Sequence, residues 1–280
     1  MKKILVPTDF SEHAGYAVDF AAELTKKMEA ELVLLHVVED TSVDTVKYTG
    51  EVALPDMQDR LFILKLIEKA TNDLNDAVQN YEGVNIKQEI RIGNPYHSIQ
   101  DIISEHNVDL VVMGTNGTNN FAEALVGSNA EKVVRHSDCP VITLRQAIEQ
   151  VDFDNIVFAT GLDDKDNTCT TVVRNFQMIF DAKIHVVRIN TPNNFEADRI
   201  SLPSLKAYAE GCGFNNYETH VFNDASEEEG IIHFAETVDA DMIAMATHGR
   251  TGFAHLLTGS IAEDVVNHAK RPVLTYVLNK

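Results

Sequence analysis

The sequence predicts an α/β fold built twice: two repeated open, mostly parallel five-stranded sheets with helices on both faces. Three observations carry this. Apolar runs of strand length alternate with segments of helical periodicity, the pattern of successive βα units. The stretch Asp109 to Thr143 recurs at Asp241 to Thr275 without a gap, with about half its positions identical, so the chain is an internal duplication. Near the centre of each copy an apolar run breaks at a glycine-bearing turn, and a second Gly-Ser pair opens a helix some ten residues later. Gly117 pairs with Gly249, Gly127 with Gly259 and Pro140 with Pro272 at one common spacing.

The elements follow in order. Lys3 to Thr8 reads as the first strand, and Ser11 can cap the next helix, whose Ala14, Ala17, Val18, Ala21 and Leu24 share one face. Glu31 to Val38 is nearly all apolar, as expected of a strand covered on both sides. Glu39 to roughly Asp56 is polar and irregular, a surface loop or lid. Gln58 to Gln79 reads as a long amphipathic helix that buries Leu61, Leu64, Ile67 and Leu74. Val84 to Ile92 is a third strand, Gly93-Asn94-Pro95 a turn, and Tyr96 to His106 a helix carrying Ile99, Ile102 and Ile103. Asp109 to Met113 is the fourth strand; Asn129 to His136 is a helix opened by Gly127-Ser128, and Pro140 to Leu144 the fifth strand.

Arg145 to Asp154 links the halves, giving expected domains at 1–147 and 148–280. The second half restarts at Asn155 to Thr160, with a helix around Thr171 to Phe180 and a strand from Lys183 to Ile189. Thr191 to Pro203 reads as the counterpart of the first long loop, and Leu205 to Gly211 as the helix after it. Tyr217 to Phe222 is strand, Glu227 to Thr237 helix, Asp241 to Ala246 strand, Ile261 to Asn267 helix and Val273 to Leu278 the last strand.

In open α/β sheets ligands bind at the carboxyl ends of strands, near the point where strand order reverses. Thr8-Asp9 and Gly114 to Gly117 both fall at that edge. A Cβ at Gly117 or Gly127 would stand where a phosphate oxygen must approach, and a helix starting at Ser128 favours negative charge. Ser128 reads equally as a helix N-cap. Asp9 reads also as an acid complementing the dipole of the following helix.

The bulk properties fit a soluble globular chain of 280 residues, 44% hydrophobic and 24% charged. A net charge of −20 argues against nucleic acid and anionic membrane as partners. The first residues are too short and too interrupted for a signal segment, and no run approaches a membrane span. Cys139, Cys169 and Cys212 show no metal-type spacing; with no export signal they fit a reducing, cytoplasmic setting. Cys139, at the entry to an apolar strand, reads as buried and inert; His36, His136 and His268 read as structural.

Val6-Pro7-Thr8-Asp9-Phe10-Ser11, Leu35-His36-Val37, Gly93-Asn94-Pro95, Val112-Met113-Gly114 through Gly127-Ser128, Ala130 to Val134 and Cys139-Pro140-Val141 together resemble the universal stress proteins, in their tandem two-domain form. Gly114, Gly117, Gly127 and Ser128 match the G-x2-G-x9-G-[ST] spacing of that family's nucleotide-binding branch. The resemblance implies a Rossmann-like three-layer sandwich of the adenine nucleotide alpha hydrolase kind, with the two fifth strands paired so that the halves form an internal pseudo-dimer. It also implies an adenine nucleotide in the crevice, ATP foremost with ADP and AMP as alternatives, and Mg2+ on its phosphates. By position, Pro7, Thr8 and Asp9 would line adenine and ribose. Val37 would hold the adenine by backbone contacts, with Met113 packed nearby. Gly114 and Gly117 would let the chain pass close to ribose and phosphates, and Gly127, Ser128 and Asn129 would meet the phosphates.

The second half departs from the motif: Ala246 stands at the position of Gly114, Gly161 at that of Asp9 and Ala159 at that of Pro7. Gly249, Gly259 and Ser260 remain, and His248 and Arg250 could add positive charge. The second site is therefore expected to be weaker, altered or vacant. The leading expectation is a nucleotide-dependent stress-response sensor or regulator with an unidentified protein partner and the option of a further homodimer. The alternatives are a slow ATPase or adenylyl-transferring enzyme, and a nucleotide-independent dimerising module. No P-loop lysine motif, evident nucleophile or acid/base pair is legible, so at most slow ATP hydrolysis is expected.

Overall fold

The computed structural model describes residues 1–39, 57–115, 127–162, 167–248 and 261–278. The first half contains β1 (Lys3–Pro7), α1 (Glu12–Met28), β2 (Glu31–Val38), α2 (Met57–Val78), β3 (Ile86–Ile92), α3 (Pro95–His106), β4 (Leu110–Gly114), α4 (Ser128–His136) and β5 (Val141–Leu144). The second repeats the order with β6 (Asn155–Ala159), α5 (Asn167–Phe180), β7 (Lys183–Asn190), α6 (Asp198–Cys212), β8 (Tyr217–Asn223), α7 (Glu227–Thr237), β9 (Met242–His248), α8 (Ile261–His268) and β10 (Val273–Leu278). No helix among the described residues is long and apolar enough to cross a membrane.

The strands form one ten-stranded sheet in the order β3-β2-β1-β4-β5-β10-β9-β6-β7-β8. Within each half every pairing is parallel. The exception is the central seam, where β5 and β10 pair antiparallel, Thr143 opposite Val273 and Val141 opposite Thr275. The expected pairing of the fifth strands is therefore present, and it removes what would be two apolar sheet edges. The seam carries a reciprocal pair of bonds: Thr143 Oγ1 donates to the Val273 carbonyl at 3.3 Å and Thr275 Oγ1 to the Val141 carbonyl at 3.4 Å. In each half the order reverses beside the first strand, so β1 and β4 flank one switch point.

Both sheet faces are covered. Leu5, Val33, Leu35, Val111 and Met113 pack with Ile99, Ile102, Ala130 and Val133 under α3 and α4. On the opposite face Ile4, Val6, Leu32 and Leu34 pack with Ala17, Phe20 and Leu24 of α1, and this cluster runs on into the second half through Phe158, Val173 and Phe176. Phe153, from the link between the halves, is 1% exposed. Its ring lies 6.1 Å from Phe20, 5.6 Å from Phe176 and 4.7 Å from Phe180. The link thus seals the joint between α1 and α5 instead of acting as a spacer.

Helix starts follow local chemistry. Ser11 Oγ accepts the Ala14 N–H at 3.2 Å, Asn94 Oδ1 the His97 N–H at 3.2 Å and Ser226 Oγ the Glu229 N–H at 3.3 Å. Two expectations need correction. Leu61 and Leu64 are 55% and 60% exposed, because they stand away from the helix face that carries Ala70 and Leu74; Ile63, Leu66 and Ile67, on that face, are half-buried. The helix expected at Leu205 begins at Asp198 and runs through Pro203. Pro203 and Arg199 both face solvent, so the one carbonyl deprived of its N–H donor remains accessible to water. The expected lid, Glu39 to Asp56, lies beyond Glu39 outside the described residues.

Candidate functional site

The carboxyl ends of β1 and β4 and the start of α4 converge at the first switch point. Pro7 ends β1, and the Thr8 N–H extends the ladder by donating to the Leu35 carbonyl at 2.8 Å. The chain then turns tightly. Thr8 Oγ1 accepts the Phe10 N–H at 3.1 Å, and Asp9 Oδ1 accepts the Ser11 N–H at 3.0 Å. Phe10 adopts φ 62°, a left-handed backbone that bulky residues rarely take. Its ring sits 4.6 Å from the His36 ring, and His36 Nδ1 lies 2.8 Å from the Thr8 carbonyl oxygen. That oxygen can only accept, so the proton is on Nδ1. His36 and Phe10 therefore fix the turn that presents the exposed Asp9 carboxylate.

The same turn recurs in the second half. The Thr160 N–H donates to the Val187 carbonyl at 3.0 Å, Thr160 Oγ1 accepts the Leu162 N–H at 3.0 Å, and Leu162 has φ 67°. The backbone turn has survived where Gly161 replaces Asp9.

Val37 and Met113 turn their side chains toward the apolar cluster under α3 and α4, Met113 being 6% exposed. At Gly114 the missing side chain has a packing cause that periodicity cannot reveal. A Cβ there would lie 2.5 Å from the His13 carbonyl oxygen and 2.6 Å from its carbon, in the first turn of α1. Thr115 follows. Its N–H donates to the Leu144 carbonyl at 3.0 Å, and its carbonyl accepts the Gly127 N–H at 2.6 Å, bringing β4 and the start of α4 together. Thr115 is 1% exposed, and its buried Oγ1 has no hydrogen-bond partner among the described residues.

The N-cap of α4 is Gly127, so Ser128 is the first helical residue and not the cap. Gly127 has φ −60° and ψ 144°, an ordinary extended conformation open to any residue, and it makes no side-chain capping bond. Gly127 thus offers no side-chain cap to the amides of the first turn, Ser128 and Asn129 among them; Ser128 is exposed and Asn129 half-buried. Pro7, Thr8, Asp9, Val37, Met113, Gly114, Gly127, Ser128 and Asn129 are all at or beside this edge; Gly117 lies outside the described residues. Sequence reasoning missed Phe10 and Thr115, which carry no periodic signal. Of the second set, His248 ends β9, and Gly249, Arg250, Gly259 and Ser260 lie outside the described residues.

Cys139 is buried next to this sheet, and burial above all pushes its thiol up to about 12. Because the thiolate is the nucleophile, native protein at pH 8 is expected to leave Cys139 unmodified by iodoacetamide, while unfolding in denaturant exposes it. Mass mapping of the alkylated peptides checks this.

The Usp model of protein families, described as the universal stress protein family, matches residues 1–145 and again 152–276. A universal stress protein of Synechocystis is 23% identical over 295 aligned residues, spanning 99% of this chain and 100% of its own. One from Methanocaldococcus jannaschii is 30% identical over 154 residues, spanning 52% of this chain and 95% of its own. Among solved structures, a universal stress protein from Archaeoglobus fulgidus superposes with a TM-score of 0.76 at 20% identity, over 99% of this chain and 98% of that one. At that identity the likeness is one of fold. The family match, by contrast, is made on sequence and made twice, once in each half, and by it the chain belongs to the universal stress protein family.

Proposed function

We propose that the first half, residues 1–147, binds an adenine nucleotide, ATP foremost, and that occupancy tunes a cytoplasmic stress-response sensor or regulator. The observation that supports it best is the start of α4. Gly127 occupies an N-cap whose backbone any residue could take, yet it brings no capping oxygen. A serine or aspartate there would satisfy an orphan amide; glycine leaves the amides and the positive helix end to an outside anion. The Thr115 Oγ1 beside it, without a hydrogen-bond partner among the described residues, is a buried hydroxyl of the kind a polar guest would satisfy.

In this reading Gly127, Ser128 and Asn129 take the phosphates, with Mg2+ bound to the phosphate oxygens. Pro7, Thr8 and Asp9 line ribose and base, the Asp9 carboxylate accepting from ribose hydroxyls. Val37 offers its backbone to the adenine and Met113 backs it. Gly114 lets α1 close against β4, and Gly117 leaves room for the phosphates. The second half, residues 148–280, is a degenerate copy. Its phosphate end would be His248, Gly249, Arg250, Gly259 and Ser260, and without an acid at Gly161 it holds a nucleotide more weakly.

Titration calorimetry with ATP and AMP on the wild type and on Gly127→Val tests the reading. ATP is expected to bind more tightly than AMP. The valine is expected to weaken ATP by at least about tenfold, or roughly 1.4 kcal/mol, with the fold intact by circular dichroism. Equal affinity for ATP and AMP in both proteins overturns the assignment of the phosphates to α4.

A further inference from the structure

Away from the carboxyl edge, near the amino ends of β7 and β8, three ligand-type side chains meet. His185 stands opposite Glu218 in the parallel register of β7 and β8, and His220 lies two residues further along β8. All three therefore emerge on the face that α7 covers. His185 Nδ1 is 3.3 Å from His220 Nε2 and 4.0 Å from Glu218 Oε2, and His220 Nε2 is 3.7 Å from the same oxygen.

The surroundings orient these atoms. His185 Nε2 lies 3.0 Å from Asn155 Oδ1 on β6. An amide oxygen only accepts, so the proton sits on Nε2 and the Nδ1 lone pair faces the gap. Lys183 Nζ donates to Glu218 Oε1 at 2.6 Å, which leaves Oε2 toward the imidazoles. The Phe234 ring, 5.0 Å from His220 and 6.5 Å from His185, walls the inner side. His185 is 5% exposed, and burial is the main reason both imidazoles stay below their usual range, in the neutral form that ligates.

We propose that His185, Glu218 and His220 form a binding site for a divalent transition-metal cation of the zinc class. Two nitrogens each about 2.05 Å from one tetrahedral metal stand about 3.3 Å apart, the separation found between these imidazoles. Two imidazole nitrogens and one carboxylate oxygen suit zinc, whereas magnesium and calcium take oxygen ligands throughout. The Glu218 side chain is 52% exposed on the edge strand, which gives the ion an entry path and a fourth position for water.

The repeat shows that the trio is not inherited scaffolding. In the first half the register of β2 and β3 places Val33, Lys87 and Glu89 at the equivalent positions. There Lys87 and Glu89 make a plain ion pair at 2.7 Å. Three differences at one spot turn an apolar residue and an ion pair into three metal ligands, in the half whose nucleotide motif has degenerated.

The test uses the full chain stripped with chelator and titrated with zinc chloride near neutral pH. Because His185 is buried, the variants are taken at the accessible edge: His220→Gln and Glu218→Gln, each checked for native circular dichroism. One tight equivalent of zinc per chain is expected, weakened at least about tenfold by either change. Cobalt(II) in place of zinc is expected to give the intense visible absorption of a four-coordinate ion, lost in His220→Gln. Zinc binding that is absent, or identical in the wild type and both variants, overturns the site and leaves the pair as a hydrogen bond between imidazoles. Nothing here depends on the nucleotide, because none of the three residues belongs to the proposed nucleotide site.

Discussion

Replacing Gly114 by alanine is expected to destabilise the protein by about 3 kcal/mol, at the upper end of what one added methyl does in a packed interior. The new Cβ would sit 2.5 Å from a carbonyl oxygen and 2.6 Å from a carbonyl carbon, both of His13, and neither can swing aside as the end of a side chain could. Either β4 or the first turn of α1 must move. α1 is held from below by Ala14, Ala17, Val18 and Ala21, and at its start by the Ser11 cap. Displacing it pulls on the Thr8–Phe10 turn, whose left-handed residue leaves little slack. Gly15, two residues past His13 in the same turn of α1, is the control. A Cβ there meets nothing within 4 Å, so Gly15→Ala is expected to be neutral or to stabilise by up to about 1 kcal/mol. Urea unfolding followed by circular dichroism separates the two. Equal stability of Gly114→Ala and the wild type would mean that α1 does not pack against β4 in this way.

That contrast shows where the sequence is legible and where it is not. The apolar runs Leu32 to Leu35 and Leu110 to Met113 announce buried parallel strands, because covering both faces of a sheet removes the alternation of an exposed strand. The duplication announces the symmetry of the halves, and the resemblance to the tandem universal stress proteins implies the seam found between β5 and β10, which also accounts for the apolar fifth strands. Gly114, Gly127 and Gly15 look alike in the sequence, yet one clears a helix backbone, one leaves an N-cap bare and one faces open space. Only the tertiary surroundings separate them. Leu61 and Leu64 lie off the face that Ala70 and Leu74 bury, so angular position round α2, and not the run of leucines itself, marks the packed side. Pro203 reads as the end of a loop because its ring removes a donor, and a solvated face makes that loss tolerable inside α6. His185 and His220 are 35 residues apart, and only the register of β7 and β8 brings them together.

The joint between the halves supplies the second large effect. Arg135 of α4 holds Glu263 of α8 with a two-pronged bond, Nε to Oε1 and Nη2 to Oε2, the latter at 2.6 Å. Glu263 is 8% exposed, whereas the Arg135 side chain is 47% exposed. The carboxylate is thus the partner that depends on the bond. Arg135→Met keeps the packing of the stem but removes the positive charge that faces the buried Glu263 carboxylate across the seam. The expected loss is about 2 kcal/mol, below the ~3–5 kcal/mol of a fully buried pair because water reaches the arginine. An exposed pair such as Lys26 and Glu23, 3.9 Å apart, is expected to contribute less than about 0.5 kcal/mol. The decisive comparison is the double variant Arg135→Met with Glu263→Met. Removing both charges deletes the desolvation penalty together with the bond, so the double variant is expected to recover more than half of the single loss. Additive losses in a double-mutant cycle of urea unfolding would show that the pair does not act as a unit. In that case the seam would rest on other contacts, the β5–β10 ladder and the Phe153 cluster among them.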